Sequence, residues 1–505
     1  MTAEAAFETL AGELAGVLLR GDPFGASFMS VPGYDDAVPD LAPEYQQAWR
    51  GRIVDVIARC AGTEADPGDI ASRVLLETAR DTAARELAVA DSRVFDFSVT
   101  TFPLGGPSLV LLTASRTSVS DPESAVAYLA RCRQIPAYLD QHAARLRAAA
   151  RDGLLPVAPL VSDAISQLEH HLSHPEQDPM LAHRPPEGWA GAAAWQADVE
   201  GVVRDQVRPA MGRYADLLAE LLPRSRRPEQ AGLLYVPGGV AAYACCVRNG
   251  TTLPFDPDEL HRIGLEALAE IEEQLAGLGR RALGAADAAE IMIRFRKDPE
   301  LAAPDGATAM ARAAAAIARA EERLPDMFRP PLPPPCAVDP MPPHMAEFGA
   351  PPYYSPPARD GSRPGAYLFN DVRPGQAGSW ALEATAFHEG VPGHHAQLAR
   401  VQLLPGLPLL LSGFYVVPHG EGWGLYAERL ADGSAFTPTT CSASGCSAAR
   451  PSAPSGSSST PACMLAAGAG SGPASSPWRT RRSPRNSSMP RSTGTSRCPA
   501  RRLGT

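Results

Sequence analysis

Lysine is almost missing from this chain: Lys297 is the only one, and every other long basic side chain is arginine. Together with abundant alanine, proline and glycine, this marks a GC-rich coding sequence, not a nucleic-acid function. The net charge of −10 excludes the basic footprint that nucleic-acid binding requires. No run of about 18 uncharged apolar residues occurs, so no membrane-spanning helix is expected. The first residues, MTAEAAFETLAGELAGVLLRGDPF, lack a basic stretch leading into a long apolar run. No signal peptide is therefore expected, and the cytoplasm is the expected compartment. Metal-type cysteine spacing is absent too: Cys60, Cys132, Cys245, Cys246 and Cys336 read as reduced thiols that pack. What remains is ordinary for a globular protein. The 505 residues are 45% hydrophobic and 20% charged, chain enough for two or three domains.

Residues 1–300 read mainly as helices. Ser124–Ala150 carries apolar residues at three- and four-residue spacing, with Pro136 expected to kink it. Residues 200–222 and 257–281 repeat the pattern; the second opens Asp256-Pro257-Asp258-Glu259, a cap, a proline and acids at the positive helix end. Ala307–Leu324 is an alanine-rich helix. The proline-rich stretch 329–365 then forbids helix interior, Gly365–Asn370 reads as a short strand, and Trp380–Phe387 begins another helix. The expected architecture is mainly α, with a small β-sheet near the site.

The last 73 residues, Gly433–Thr505, contain no Asp, Glu or Lys but nine of the arginines and four of the nine cysteines. The body therefore carries −19 and this tail +9. One reading is a disordered basic tail. The preferred one is translation out of frame. Codons can be chosen for Arg485–Thr505 so that the frame one base earlier reads EEFVDAEVDRYIAVPGQALGY, which is acidic and amphipathic. The chain thus divides into a domain at 1–432 and a tail at 433–505.

Chemistry concentrates in His388-Glu389-Gly390-Val391-Pro392-Gly393-His394-His395. A hydrolytic zinc site needs imidazole or carboxylate ligands, an open position for water and a nearby base. The familiar arrangement puts two histidines four residues apart on one helix face. Here the spacing is six or seven. In a regular helix His394 would lie about 9 Å along the axis and off the face, and His395 about 10.5 Å along. Pro392 offers a way out, since it has no N–H for the carbonyl of His388. Gly390 and Gly393 tolerate unusual backbone, so a bulge looping out two residues would restore the approach. Glu389, directly after the first histidine, is placed as general base. The bland alternative is a helix end with a turn. Downstream, Glu421-Gly422-Trp423-Gly424-Leu425-Tyr426-Ala427-Glu428 opens a helix with two glutamates seven apart on one face. Glu421 is the preferred third ligand; for Glu428 the bland reading is an ion pair with Arg429 or Arg400. His419 reads as a surface loop histidine.

At these residues the sequence resembles the bacterial domain of unknown function 885 family, which groups with zincin-like (gluzincin) metallopeptidases. The matching segments are His388–Gln397, Glu421–Glu428, and Gly239-Val240-Ala241-Ala242-Tyr243 with Arg248, Thr251 and Thr252 followed by the helix Pro257–Leu268. The resemblance spans most of residues 1–432. It implies a mostly α fold like thimet oligopeptidase or thermostable carboxypeptidases, with a cleft across the metal. In relatives the second histidine of the pair can be aromatic, which favours His394 over His395. By carry-over, His388, His394 and Glu421 bind Zn2+, Glu389 is the base, and the strand at Tyr367–Asn370 is the edge that pairs with an extended substrate. A closing segment of the type RY…PGQA…Y is expected from relatives and is missing in frame.

The function expected is a zinc metallopeptidase acting on a peptide or small amide, with no nucleic-acid or membrane partner. Two ligand histidines and a carboxylate admit other divalent metals. The alternatives are an amide or ester hydrolase acting on a specialised metabolite, and an inactive product of a frameshifted gene.

Overall fold

The computed structural model describes residues 3–433 apart from 63–68, 103–104, 283, 286, 299–304, 348, 360, 362 and 373–377. The chain separates into units Met1–Gly470 and Ser471–Thr505. The tail beyond Gly433, with the out-of-frame reading attached to it, lies outside the described residues.

The fold is mainly helical with one small sheet. The amphipathic stretch over 124–150 forms a 30-residue helix, Pro122–Arg151. Asp121 starts it with a reciprocal cap: its carboxylate accepts from the Ser124 N–H, and the Ser124 hydroxyl faces the Asp121 N–H. The helix continues through Pro136. Its apolar face, including Tyr128, Ile135, Leu139 and Leu146, centres the largest core cluster. The expected helix over 200–222 is in fact two, Ala192–Val202 and Arg208–Leu221, joined by a wide π-turn at Val203–Val207. Pro209 supplies the reason, because it cannot donate to the carbonyl of Asp205 in a regular α-helix. The helix expected from 257 runs Pro257–Ala282. Among the described residues, no helix is long and apolar enough to cross a membrane.

Glycine spacing and charge fix the segment Gly239–Thr251, which is helical. A Cβ on Gly239 would lie 1.7 Å from the Leu233 carbonyl oxygen, so only glycine fits this close approach. Arg248 pairs with Asp81 of the helix Ile70–Ser92, and Arg85 reaches Asn249 at 2.9 Å. These contacts tie the two helices together.

A second core holds the site. The helix Gly306–Glu321 turns Ala309, Ala313, Ala316, Ile317 and Ala320 inward at helical spacing. Small side chains there let the helix Gly378–Glu389 pack closely, with Leu382, Ala386 and Phe387 buried against it. The helix Val417–Gly433 covers the other side. The sheet has strands β1 (Ala337–Pro340), β2 (Tyr353–Ser355) and β3 (Ala366–Phe369) in the order β1-β3-β2. β1 runs parallel to β3 and β2 antiparallel to it, with Tyr354 opposite Tyr367.

Candidate metal centre

The helix carrying His388 stops at Glu389, and a new one, His394–Gln402, begins five residues later. The expected bulge within a continuing helix is thus a full break into two helices. Pro392 withholds the N–H that would have continued the ladder. The chain then folds back tightly: the His395 N–H reaches the Gly390 carbonyl at 3.1 Å. The glycines allow close packing here. A Cβ on Gly393 would stand 1.9 Å from the His388 carbonyl oxygen. One on Gly390 would meet the Ile317 side chain at 2.6 Å and the Ala386 carbonyl at 2.7 Å. From the opposite side, Trp423 Nε1–H sits 3.0 Å from the carbonyl of Pro392 and 3.1 Å from that of Gly393, clamping the turn.

This break brings His388 and His394 together. Their ring centroids are 4.8 Å apart with perpendicular planes. One ligand atom each from His388, Glu389 and His394 lie within 4.8 Å of one another. Glu421 joins from the helix Val417–Gly433, its Oε2 3.4 Å from His388 Nε2 and 3.8 Å from His394 Nε2. Zinc with nitrogen and oxygen ligands at about 2.0–2.1 Å has tetrahedral edges of roughly 3.4 Å. The separations around Glu421 are of that size and longer than a good hydrogen bond. His394 Nδ1 is buried without a hydrogen-bond partner. The donor set, two imidazoles and a carboxylate around a gap of this width, fits a divalent cation.

The glutamates divide the work by position. Being seven residues apart, Glu421 and Glu428 share a helix face, and both reach His388, one at each ring nitrogen. Glu428 Oε1 lies 2.7 Å from His388 Nδ1, so Nδ1–H donates and Nε2 turns to the gap. An ion pair of Glu428 with Arg429 or Arg400 is not what forms. Arg400 instead donates to the carbonyls of Pro331 and Arg329. Gly424 makes room for the His388 ring, since a Cβ there would stand 2.5 Å from Cε1 and Nε2.

Electrostatics follow this geometry. Burial pulls the His388 imidazolium down, but the contacts with Glu421 and Glu428 at its two ring nitrogens outweigh it and push its pKa up to about 10. Burial, reinforced by His388, holds His394 down to about 4. Contact with His388 first, then Tyr415 and His394, keeps Glu421 down to about 2 against burial. Burial pushes Glu389 up to about 7, opposed by His388 and the Tyr354 N–H.

His395 is fully buried and faces away. Its Nε2 lies 2.7 Å from the Pro334 carbonyl, and its Nδ1 lies 3.0 Å from the Tyr354 hydroxyl. With both nitrogens taken, it has none for a metal.

The substrate edge expected at Tyr367–Asn370 is corrected by the structure. β3 is the central strand, hydrogen-bonded on both sides, so it has no free edge. Tyr367 is fully buried in the core. Asn370 is buried as well, and its amide donates to the carbonyls of Ala346 and Ala350. The edge beside the site is β2, whose Tyr354 N–H donates to Glu389 Oε2 at 2.8 Å. Two further groups had no signature in the sequence. Tyr354 links Glu389 to His395, and Tyr415 donates to Glu421 Oε1 at 2.7 Å. His419 is exposed, and its carbonyl accepts from Gln397 at 3.3 Å.

A cavity of about 640 Å³ opens onto Glu389, His394, Glu421 and Tyr415. Its far walls are largely apolar, including Leu18, Phe28, Met29, Leu398 and Phe414, and it also takes in Arg359. That volume is in the ordinary range for small-molecule and peptide sites.

Comparison with known proteins adds the following. The family described as "Bacterial protein of unknown function (DUF885)" matches residues 23–440. No curated protein matches. A solved structure described as "putative lipoprotein from Colwellia psychrerythraea" is similar with a TM-score of 0.75 and 20% identity, covering 86% of this chain and 78% of that one. At that identity the likeness speaks to the fold alone.

Proposed function

Starting from a chain that belongs to the bacterial DUF885 family, we propose that it is a zinc-dependent hydrolase of the zincin-like type, cleaving peptide bonds. One observation carries the reading: across the helix break between Glu389 and His394, ligand atoms of His388, Glu389 and His394 lie within 4.8 Å of one another, and Glu421 Oε2 stands 3.4 and 3.8 Å from Nε2 of His388 and His394.

His388, His394 and Glu421 would hold the ion. The ion would supply Lewis-acid polarisation of the scissile carbonyl and a water of lowered pKa. Glu389 would be the base that takes a proton from the attacking water and returns it to the leaving amine. Its position fits this role: Oε2 is anchored by the Tyr354 N–H, which leaves Oε1 for the proton. Burial favours its neutral form, which makes the carboxylate the stronger base for taking up the proton in the first half of the reaction. Glu428 holds His388 in the tautomer that presents Nε2. Tyr415 orients Glu421 through its hydroxyl. The cavity walls exclude water around the scissile bond.

The test pairs metal analysis with cleavage of a peptide library by wild type and Glu389→Gln. We expect about one zinc per chain in both proteins, and turnover lower by roughly 10²–10⁴ in the variant. Absence of bound metal would remove the site assignment. Zinc with no peptide cleavage would favour an amide or ester hydrolase on another substrate. Cytoplasmic residence is part of the proposal and is checked separately by cell fractionation.

A further inference from the structure

The cavity contains a cation without an anion. Arg359 lines it, four residues past the end of β2. Its Nη2 donates to the Ser412 carbonyl at 2.7 Å and to the Ser412 hydroxyl at 3.2 Å. Its Nε–H is buried with no acceptor. No described carboxylate pairs with it. The acids on the same cavity are otherwise engaged: Glu389 by Tyr354, Glu421 by His388 and Tyr415, and Asp22 by the Gly25 N–H that it caps. Burial alone draws the Arg359 guanidinium down, with no neighbouring charge acting on it.

An arginine rarely forgoes a partner in such a place, because an unsatisfied buried donor costs free energy and a guanidinium costs more. Nη2 is taken by Ser412 and Nε is buried, so Nη1 is the donor group left for an anion, and a carboxylate matches it with charge-assisted hydrogen bonds. The surrounding wall is apolar, from Leu398, Val401, Leu411 and Phe414. We propose that Arg359 receives the C-terminal carboxylate of the substrate, with an apolar C-terminal side chain against that wall, so that the protein acts as an exopeptidase at carboxyl termini. This rests on the hydrolytic reading above. Chain geometry limits the distance from the scissile bond. Arg359 follows Tyr354, the residue that anchors Glu389, by five positions. Their Cα atoms are thus at most about 18 Å apart. The released fragment is short.

The test is equilibrium binding by titration calorimetry to the full-length, zinc-loaded Glu389→Gln protein, which leaves the peptides intact. The probes are acetyl-Ala-Phe with a free carboxylate, its amide-capped twin, and amide-capped acetyl-Ala-Glu. We expect the free acid to bind about ten- to a hundredfold more tightly than either capped peptide, as a charge-assisted hydrogen-bonded contact allows. Adding Arg359→Gln abolishes the difference, and Arg359→Lys, which keeps the charge but not the fork, retains part of it. Should Arg359→Gln fail to fold by circular dichroism, the lysine variant carries the comparison. Equal affinity for the free acid and its capped twin overturns the proposal, as does no affinity for any probe. A preference that survives Arg359→Gln also overturns it. If the capped glutamyl peptide binds like the free acid, the C-terminal assignment fails in favour of an acidic side chain. Failure of the hydrolytic reading shows elsewhere, as absence of cleavage by the wild-type protein, and leaves these affinities untouched.

Discussion

Two glycines in one helix should respond oppositely to the same substitution. Gly422 and Gly424 both lie in the helix Val417–Gly433 that carries Glu421 and Glu428. A Cβ on Gly422 meets nothing within 4 Å. Gly422→Ala should therefore gain helix propensity, about 0.5–1 kcal/mol, and leave the site alone. A Cβ on Gly424 would stand 2.5 Å from Cε1 and Nε2 of His388 and 2.9 Å from Cδ2. Ordinary carbon contacts begin near 3.5 Å, so the ring must retreat by about 1 Å. It cannot do so freely, because Nδ1 is held by Glu428 at 2.7 Å and the far side faces Glu421. The same propensity gain offsets part of the strain, so stability should change by less than about 2 kcal/mol. Metal affinity and turnover, which depend on the ring's position, should fall by about a hundredfold for a misplacement of this size. The assay measures zinc per chain after dialysis against a competing chelator, peptide turnover and a thermal melt, for both variants. If Gly424→Ala keeps zinc and turnover within about threefold of wild type, the placement of His388 against this helix is wrong. Equal damage from Gly422→Ala would refute it as well, by showing that the helix backbone and not the ring is the sensitive element.

Three other outcomes follow from named contacts. Glu428→Ala removes the group that orients His388 and should weaken zinc binding about ten- to a hundredfold without abolishing it; competition with a calibrated chelator measures this, and unchanged affinity would mean Glu428 only packs. His395→Phe should keep full zinc stoichiometry, because both ring nitrogens already serve Tyr354 and Pro334; the cost, read by urea unfolding, is about 1–3 kcal/mol for the orphaned partners, and loss of metal would reassign the ligand. Acid should destabilise the fold through His142, which burial and then Arg145 hold down to about 4 in the native state. An unfolded histidine titrates near 6.5, so the unfolded chain takes up more protons between those values. This contribution is complete above pH 6.5 and falls away as the pH drops toward 4. At pH 5 the loss is about 2 kcal/mol. His142→Gln should lessen the difference in urea stability between pH 7.5 and pH 5; an identical pH dependence would exclude His142 as its source.

The helical content was readable where periodicity and caps agree, as in Pro122–Arg151 and Pro257–Ala282. The division at Val203–Val207 was not, because the apolar pattern runs on across it while Pro209 interrupts only the hydrogen bonding. The central place of β3 was also hidden. A buried run such as Ala366–Phe369 reads as a strand, but nothing in it says which neighbours flank it. Assigning the edge to Tyr367 and Asn370 therefore failed, while β2, only three residues long, gave little pattern to find.

The sequence by itself determined that the hydrogen-bond ladder must be interrupted after His388, because Pro392 has no N–H for that carbonyl. Whether the interruption was a bulge or a full break was left to the fold, since the helix Pro122–Arg151 runs on through Pro136 while this one stops at Glu389. The sequence also placed Glu421 and Glu428 on one helix face through their spacing. Only the tertiary structure decided between neighbours. It turned His394 toward His388 and buried His395 against Tyr354 and Pro334, gave Glu421 and Glu428 opposite nitrogens of one imidazole, and left Arg359 on the cavity with no described carboxylate paired to it. Those choices depend on which groups from distant parts of the chain arrive within hydrogen-bond reach, and residue spacing along one segment carries no record of that.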